Sequence, residues 1–157
     1  MIEILSMTLP TENKMRGDEI DRLLRSCKVY RGTYAADELH YIARHKRPLL
    51  AVINTHDRKS PGEHWTVIYL RNYNYGEYFD SYGKKPSIRV QTFLNDNCLK
   101  WTYNAQCLQS ELSISCGYFC LVYCIFKCSG KRMKDMLKIF STDTLHNEYI
   151  LKRFLQI

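Results

Sequence analysis

The stretch 116-CGYFCLVYCIFKCSG-130 is an apolar run opened by a cysteine and closed by a serine and a glycine. With no proline and no acid before its end, it reads as a helix buried on all sides, and Gly130 suits the position just past the last turn. Its longest apolar part, 118–126, is about half of the roughly 20 residues a membrane span needs. The stretch is a core helix, not an anchor.

Cysteines recur along it every fourth residue, at 116, 120, 124 and 128. A helix rises about 1.5 Å per residue, so the outer two lie roughly 18 Å apart, and one metal ion with bonds of about 2.3 Å cannot hold all four. The last three read as small hydrophobes on a packed ridge. Cys116 differs because it stands in the first turn, where the helix dipole and unpaired N–H groups stabilise a thiolate and any oxyanion beside it. Gly117 leaves room for an incoming carbonyl, and Ser113 or Ser115 can cap the helix.

A nucleophilic thiol needs an imidazole, and the imidazole needs an orienting group. Upstream, 64-HWTVIYL-70 and 77-EYFDSY-82 are rich in β-branched and aromatic residues, and 71-RNYNYG-76 between them has the composition of a turn. Antiparallel pairing centred on residue 72 brings His64 across from Asp80 to within about one residue. His146, followed by Asn147, is the rival. Only 41 residues follow Cys116, too few for an order with His and Asn far downstream. His40, His45 and His56 have no acid in matching register and read as surface residues. In the loop 104–115, Gln106 and Gln109 lie just ahead of Cys116, where a glutamine amide can donate to an oxyanion together with the Cys116 N–H.

The remaining chain supplies the frame. Residues 17–27 form an amphipathic helix with Asp18 as N-cap and Ile20, Leu23, Leu24 and Cys27 on one face; a short helix follows at 36–44 with Leu39 and Ile42 inward. After Pro48, the run 49-LLAVIN-54 reads as a buried strand. Helix 87–97, strand 98–103 and helices 131–140 and 144–155 complete the pattern. Helices, then mostly strands, then helices imply an α+β domain covering 1–157, with a small, mostly antiparallel sheet covered by helices and the 116–128 helix central. The short connections exclude a doubly wound parallel sheet.

With 45% hydrophobic and 25% charged residues, the chain of 157 has an ordinary globular composition. Its opening, MIEILSMTLPTENK, carries an acid and a proline and lacks the pattern of a signal peptide, so the expectation is an intracellular, non-secreted protein without a membrane anchor. Seven cysteines without an export signal favour free thiols over a disulfide framework. The net charge of +7 is concentrated in 44-RHKR-47, at Lys84 and Lys85, and in 131-KRMKDMLK-138. It reads as a solvated basic surface without a reader motif, with attraction to DNA as the alternative.

Three segments together resemble the adenains, the adenovirus cysteine endopeptidases, and their relatives in Polinton-type elements and other DNA viruses: 51-AVINTHDRKSPGEHW-65, the acid in 78-YFDSYG-83, and Gln109 seven residues ahead of 116-CGYFC-120. The resemblance runs from about residue 45 to 128, and the wider superfamily includes the SUMO-deconjugating proteases. It implies His64 as base, Asp80 as its orienter, Gln109 as oxyanion donor and Cys116 as nucleophile, with Trp65 and Gly117 contacting substrate. The acid at the orienting position is commonly Glu in adenains and Asp in SUMO-type proteases. The implied function is thiol endopeptidase action on viral structural precursors near glycine, by a monomer in the nucleus, cytoplasm or virion. No cofactor is implied for the chemistry, while DNA and an activating peptide docked at Cys98 or Cys107 are implied as activators. A modifier-deconjugating isopeptidase and an inactive basic DNA-binding module are the other readings.

Overall fold

The computed structural model describes residues 13–157, so the opening stretch read above for a leader lies outside the described residues up to residue 12. Five strands form one sheet in chain order: β1 (Tyr30–Tyr34), β2 (Leu49–Asn54), β3 (Trp65–Leu70), β4 (Tyr75–Phe79) and β5 (Lys100–Tyr103). The central pairings, β2 with β3 and β3 with β4, are antiparallel as expected, whereas the two edge strands join parallel. Helical crossovers account for this. A 3-10 turn (Ala36–Glu38) and α2 (Leu39–Ile42) separate β1 from β2, and α3 (Ile88–Asn97) separates β4 from β5, so the chain returns in the same direction each time. The class is α+β, with a mixed sheet.

Strand β2 is buried along its whole length because both faces of the sheet are covered. Leu50 and Val52, with Val67 and Phe79, pack under α4 (Cys116–Cys128), which is flanked by α1 (Gly17–Leu24), α5 (Met133–Leu137) and α6 (Thr144–Leu155). The alternate residues Leu49, Ala51 and Ile53 face Leu39, Ile42, Val90, Phe93 and Leu94 on the other side. The apolar run that opened the reading is thus the central helix. It ends as Gly130 predicts: that residue has φ of 72°, its N–H donates to the Lys127 carbonyl, and the Lys131 N–H donates to the Phe126 carbonyl. Lys127 itself is buried, with Nζ 2.6 Å from Glu77 Oε2, an oxygen that also accepts from the Tyr123 hydroxyl at 2.6 Å.

Several expectations change. Strand β1 was not foreseen; it is half-buried throughout and broken by Gly32, so its pattern is weak. Asp18 is not the N-cap of α1. It lies in the first turn and pairs with the Arg16 side chain, while Glu19 Oε2 accepts from the Arg16 N–H at 2.7 Å. Helix α5 is shorter than 131–140, because Arg132 precedes it and turns its side chain back onto Asp135. Cys27 and Cys128 are joined as a disulfide, with Cα atoms 5.6 Å apart, which corrects the expectation of free thiols for these two. The other five are free. Among the described residues no helix is long and apolar enough to cross a membrane.

Candidate active site

The sheet and α4 bring three chain segments together: the approach to β3, the exit from β4 and the first turn of α4. Register explains the first two. Val67 pairs with Phe79 and Ile68 with Tyr78, and the same register extended past the strand ends sets Thr66 beside Asp80 and His64 beside Tyr82. The hairpin is therefore centred one residue later than the sequence suggested, and Asp80 lies diagonal to His64. That diagonal is bridged. His64 Nε2 is 2.8 Å from Asp80 Oδ1, and the His64 and Tyr82 rings sit 4.9 Å apart.

Asp80 is itself held on all sides. Its Oδ1 accepts from the Tyr82 N–H at 2.8 Å, its own N–H donates to Asn104 Oδ1 at 2.9 Å, and its carbonyl accepts from Asn104 Nδ2 at 2.6 Å. Asn104 is buried at the end of β5, and nothing in its local sequence marks this role. A carboxylate only accepts hydrogen bonds, so His64 Nε2 carries a proton in both charge states and Nδ1 is the nitrogen that titrates.

Cys116 opens α4 as expected, but neither candidate hydroxyl caps the helix. Ser115 occupies the N-cap position without a side-chain bond, and Ser113 Oγ accepts from the Ser115 N–H at 3.0 Å. The Tyr118 and Phe119 N–H groups donate to the Ser115 carbonyl at 2.9 and 3.1 Å, so the Cys116 and Gly117 N–H groups are the ones left facing the thiol. Burial is the largest influence on the Cys116 thiol and pushes its pKa up. Hydrogen bonding and charge from His64, with the Trp65 and Gly117 N–H groups, outweigh that and hold it below the usual thiol value of 9.0. For His64, burial again acts first and lowers the pKa, while bonds to and charges on Asp80 and Cys116 raise it to about 9. The two shifts agree: the proton prefers the imidazole. Cys98, Cys120 and Cys124 move the other way, each raised chiefly by burial. Of the thiols implied for peptide docking, Cys98 is buried and donates to the Leu94 carbonyl, while Cys107 is exposed.

A cleft of about 590 Å³ leads to Cys116, lined among others by Met15, Gly17, Thr33, Asn54 and Trp65. The packing beside it is close. A Cβ on Gly117 would come within 2.7 Å of Met15 Cβ and 3.4 Å of Trp65 Cδ1, and one on Gly17 within 3.0 Å of Thr33 Oγ1. Trp65 is fixed by an indole bond to the Met15 carbonyl at 2.8 Å. His56, read as a surface residue, lines the same cleft and lies 3.3 Å from Glu63. His146 is exposed on α6, whereas Asn147 is buried. Gln109 is also buried; Ser81 Oγ donates to its Oε1 at 2.6 Å, and its Nε2 donates to the Ser113 carbonyl at 2.9 Å.

A thiol at the head of a buried helix, an imidazole at the approach to β3 and a carboxylate at the exit from β4 thus meet at one end of a mixed sheet. No family model matches the chain. Over 105 residues it is 30% identical to a protein of bovine adenovirus 4 described as a protease, a match that covers 55% of this chain and 52% of that protein. The chain thus spans about half the length of the curated relative it matches. An ASFV protease superimposes with a TM-score of 0.56 at 16% identity, over 86% of this chain and 63% of the other. The central domain of an uncharacterized Legionella pneumophila protein gives 0.57 at 15% identity, over 92% and 95%. The chain is adenain-like in sequence and shares its fold with these structures.

Proposed function

We propose that the chain is a thiol endopeptidase that cuts viral or mobile-element precursor proteins close to glycine. The observation that carries the reading is the placement of Cys116 at the head of α4 beside His64, whose Nε2 lies 2.8 Å from Asp80 Oδ1; in keeping with it the Cys116 thiol is lowered while the other buried free thiols are raised. Structural cysteines have no need of such a partner.

In this reading His64 Nδ1 holds the thiol proton as imidazolium and the Cys116 thiolate attacks the peptide carbonyl carbon. The oxyanion is met by the Cys116 N–H and Gln109 Nε2. As the tetrahedral adduct collapses, the C–N bond breaks and His64 passes its proton to the leaving amine. A water molecule, deprotonated by His64, then attacks the thioester and releases the acid, which returns Cys116 and His64 to their starting state. Asp80 keeps the ring oriented throughout. Met15 and Trp65 line the cleft beside Cys116, and the resemblance to the adenains supports cleavage near glycine. The excess of positive charge supports attraction to DNA, and exposed Cys107 supports docking of an activating peptide.

Cys116→Ser and His64→Ala test the assignment. Each variant is expected to keep the melting temperature within a few degrees and lose hydrolysis of a peptidyl-Gly-Gly aminomethylcoumarin amide. Undiminished hydrolysis in either variant contradicts it. The Asp at position 80 favours one second reading, release of a ubiquitin-like modifier from an isopeptide bond. Preference for a whole ubiquitin-like conjugate over the short peptide supports that reading.

A further inference from the structure

The turn after β4 carries two successive residues that reach into the site. Asp80 orients His64, and Ser81, fully buried, donates its hydroxyl to Gln109 Oε1 at 2.6 Å. The Ser81 carbonyl also accepts from the N–H groups of Leu108 at 2.8 Å and Gln109 at 3.0 Å, so both the backbone and the side chain of Gln109 hang from one residue.

The direction of the Gln109 amide follows from its other neighbour. Ser113 presents a carbonyl oxygen at 2.9 Å, which has no hydrogen to give, so the amide nitrogen belongs on that side. The Ser81 hydroxyl is then left as donor to Oε1. One Nε2 hydrogen is used by the Ser113 carbonyl, and the second meets only Ser113 Oγ at 3.5 Å, a contact long enough to yield to a better acceptor. A flipped amide would aim an acceptor where negative charge develops.

The backbone around this bond is anchored independently. Asn104 brackets Asp80 through its N–H and carbonyl, and Asn147 Nδ2 donates to the Leu108 carbonyl at 3.1 Å. Removal of the Ser81 hydroxyl therefore leaves the turn and the loop tied but strips Gln109 Oε1 of its donor, so that the amide is held from the Ser113 side alone.

We propose that Ser81 is a positioning residue for the oxyanion site, holding Gln109 with its nitrogen toward the substrate carbonyl. The proposal rests on the reading of Gln109 as an oxyanion donor. Ser81→Ala, Gln109→Ala and the double variant are compared with wild type on the peptidyl-Gly-Gly amide. Ser81→Ala is expected to lower kcat about tenfold to a hundredfold with KM within twofold, and the double variant to be no worse than Gln109→Ala, since coupled residues do not add. Iodoacetamide alkylation of Cys116 is expected to stay unchanged in Ser81→Ala, because the thiolate pair depends on His64 and Asp80.

A further loss in the double variant, or altered alkylation, overturns the proposal by showing that Ser81 acts through Asp80 or the fold. If Gln109→Ala keeps full activity while Cys116→Ser does not, the oxyanion reading falls and the proposal with it. A readout independent of turnover is the Gln109 side-chain amide in ¹⁵N spectra. One slowly exchanging pair of resonances in wild type should become broadened or doubled in Ser81→Ala; an unchanged pair overturns the proposal.

Discussion

Asp80→Asn separates charge from hydrogen bonding at the centre of the site. Asp80 Oδ1 accepts from both His64 Nε2 and the Tyr82 N–H, each at 2.8 Å, and an asparagine oxygen in the same place accepts both. Only the charge is lost. His64 stands at about 9 against an ordinary 6.5, with burial opposing and Asp80 first among the groups that raise it. The difference is worth about 3 kcal/mol in favour of the imidazolium. Neutralising Asp80 removes about 2 kcal/mol of this, roughly a thirtyfold loss in the equilibrium that forms the thiolate pair. Cys116 then loses the cation that offsets its burial, and its pKa rises.

Iodoacetamide alkylation followed from mildly acidic to alkaline pH, with the modified peptide identified by mass spectrometry, reads this directly. In wild type Cys116 reacts at lower pH than an ordinary thiol, since its folded pKa lies below the usual thiol value. Turnover falls as pH passes about 9, where His64 gives up the proton the leaving group needs. In Asp80→Asn the alkylation rate near pH 6.5 is expected to drop about ten- to thirtyfold and the rise to move to higher pH. A variant within twofold of wild type across the range refutes the electrostatic account of the pair.

Other perturbations test the frame. Thiol titration of the unreduced, denatured protein should find the five free cysteines and miss Cys27 and Cys128; a count of seven contradicts the disulfide. Lys127→Met strands Glu77 buried without its cation and should cost about 3 to 5 kcal/mol in denaturant unfolding, whereas breaking an exposed pair such as Arg16 with Asp18 should leave the unfolding midpoint almost unchanged. Gly117→Ala sets a Cβ within 2.7 Å of Met15 Cβ, a backbone-proximal atom that cannot swing away, and should cost about 1 to 3 kcal/mol in denaturant unfolding. Unchanged stability contradicts the close packing of Gly117 on Met15.

The parts of this architecture legible from sequence are those fixed by local chemistry. The apolar run from Cys116 and its terminal glycine specify α4 because no other element accommodates that pattern, and the aromatic runs around RNYNYG specify β3 and β4. The hairpin also made His64 and Asp80 visible as a pair. Its register came out one residue off, because a loop of this length allows more than one turn geometry and the sequence does not say which. The parallel edge strands were not legible. Their pairing depends on crossovers rather than on turn residues, and β1 has neither burial nor alternation to mark it. Contacts between distant segments were equally silent: Cys27 with Cys128, Met15 with Trp65, and Asn104 with Asp80 join residues whose neighbours in sequence say nothing of one another. Ser81 was read only as part of the strand run 77–82, although it adjoins the acid of the site. The serines before Cys116 suggested a side-chain cap, yet Ser115 makes no such bond and Ser113 Oγ accepts from the Ser115 N–H instead.

The most direct test of the account is capture of the nucleophile by a peptidyl-Gly-Gly vinyl methyl ester, read by intact mass and by mapping the modified peptide. The account predicts a single adduct, on Cys116, that is lost in His64→Ala. An adduct on the exposed Cys107 instead, or equal labelling of Cys116 without His64, would contradict it.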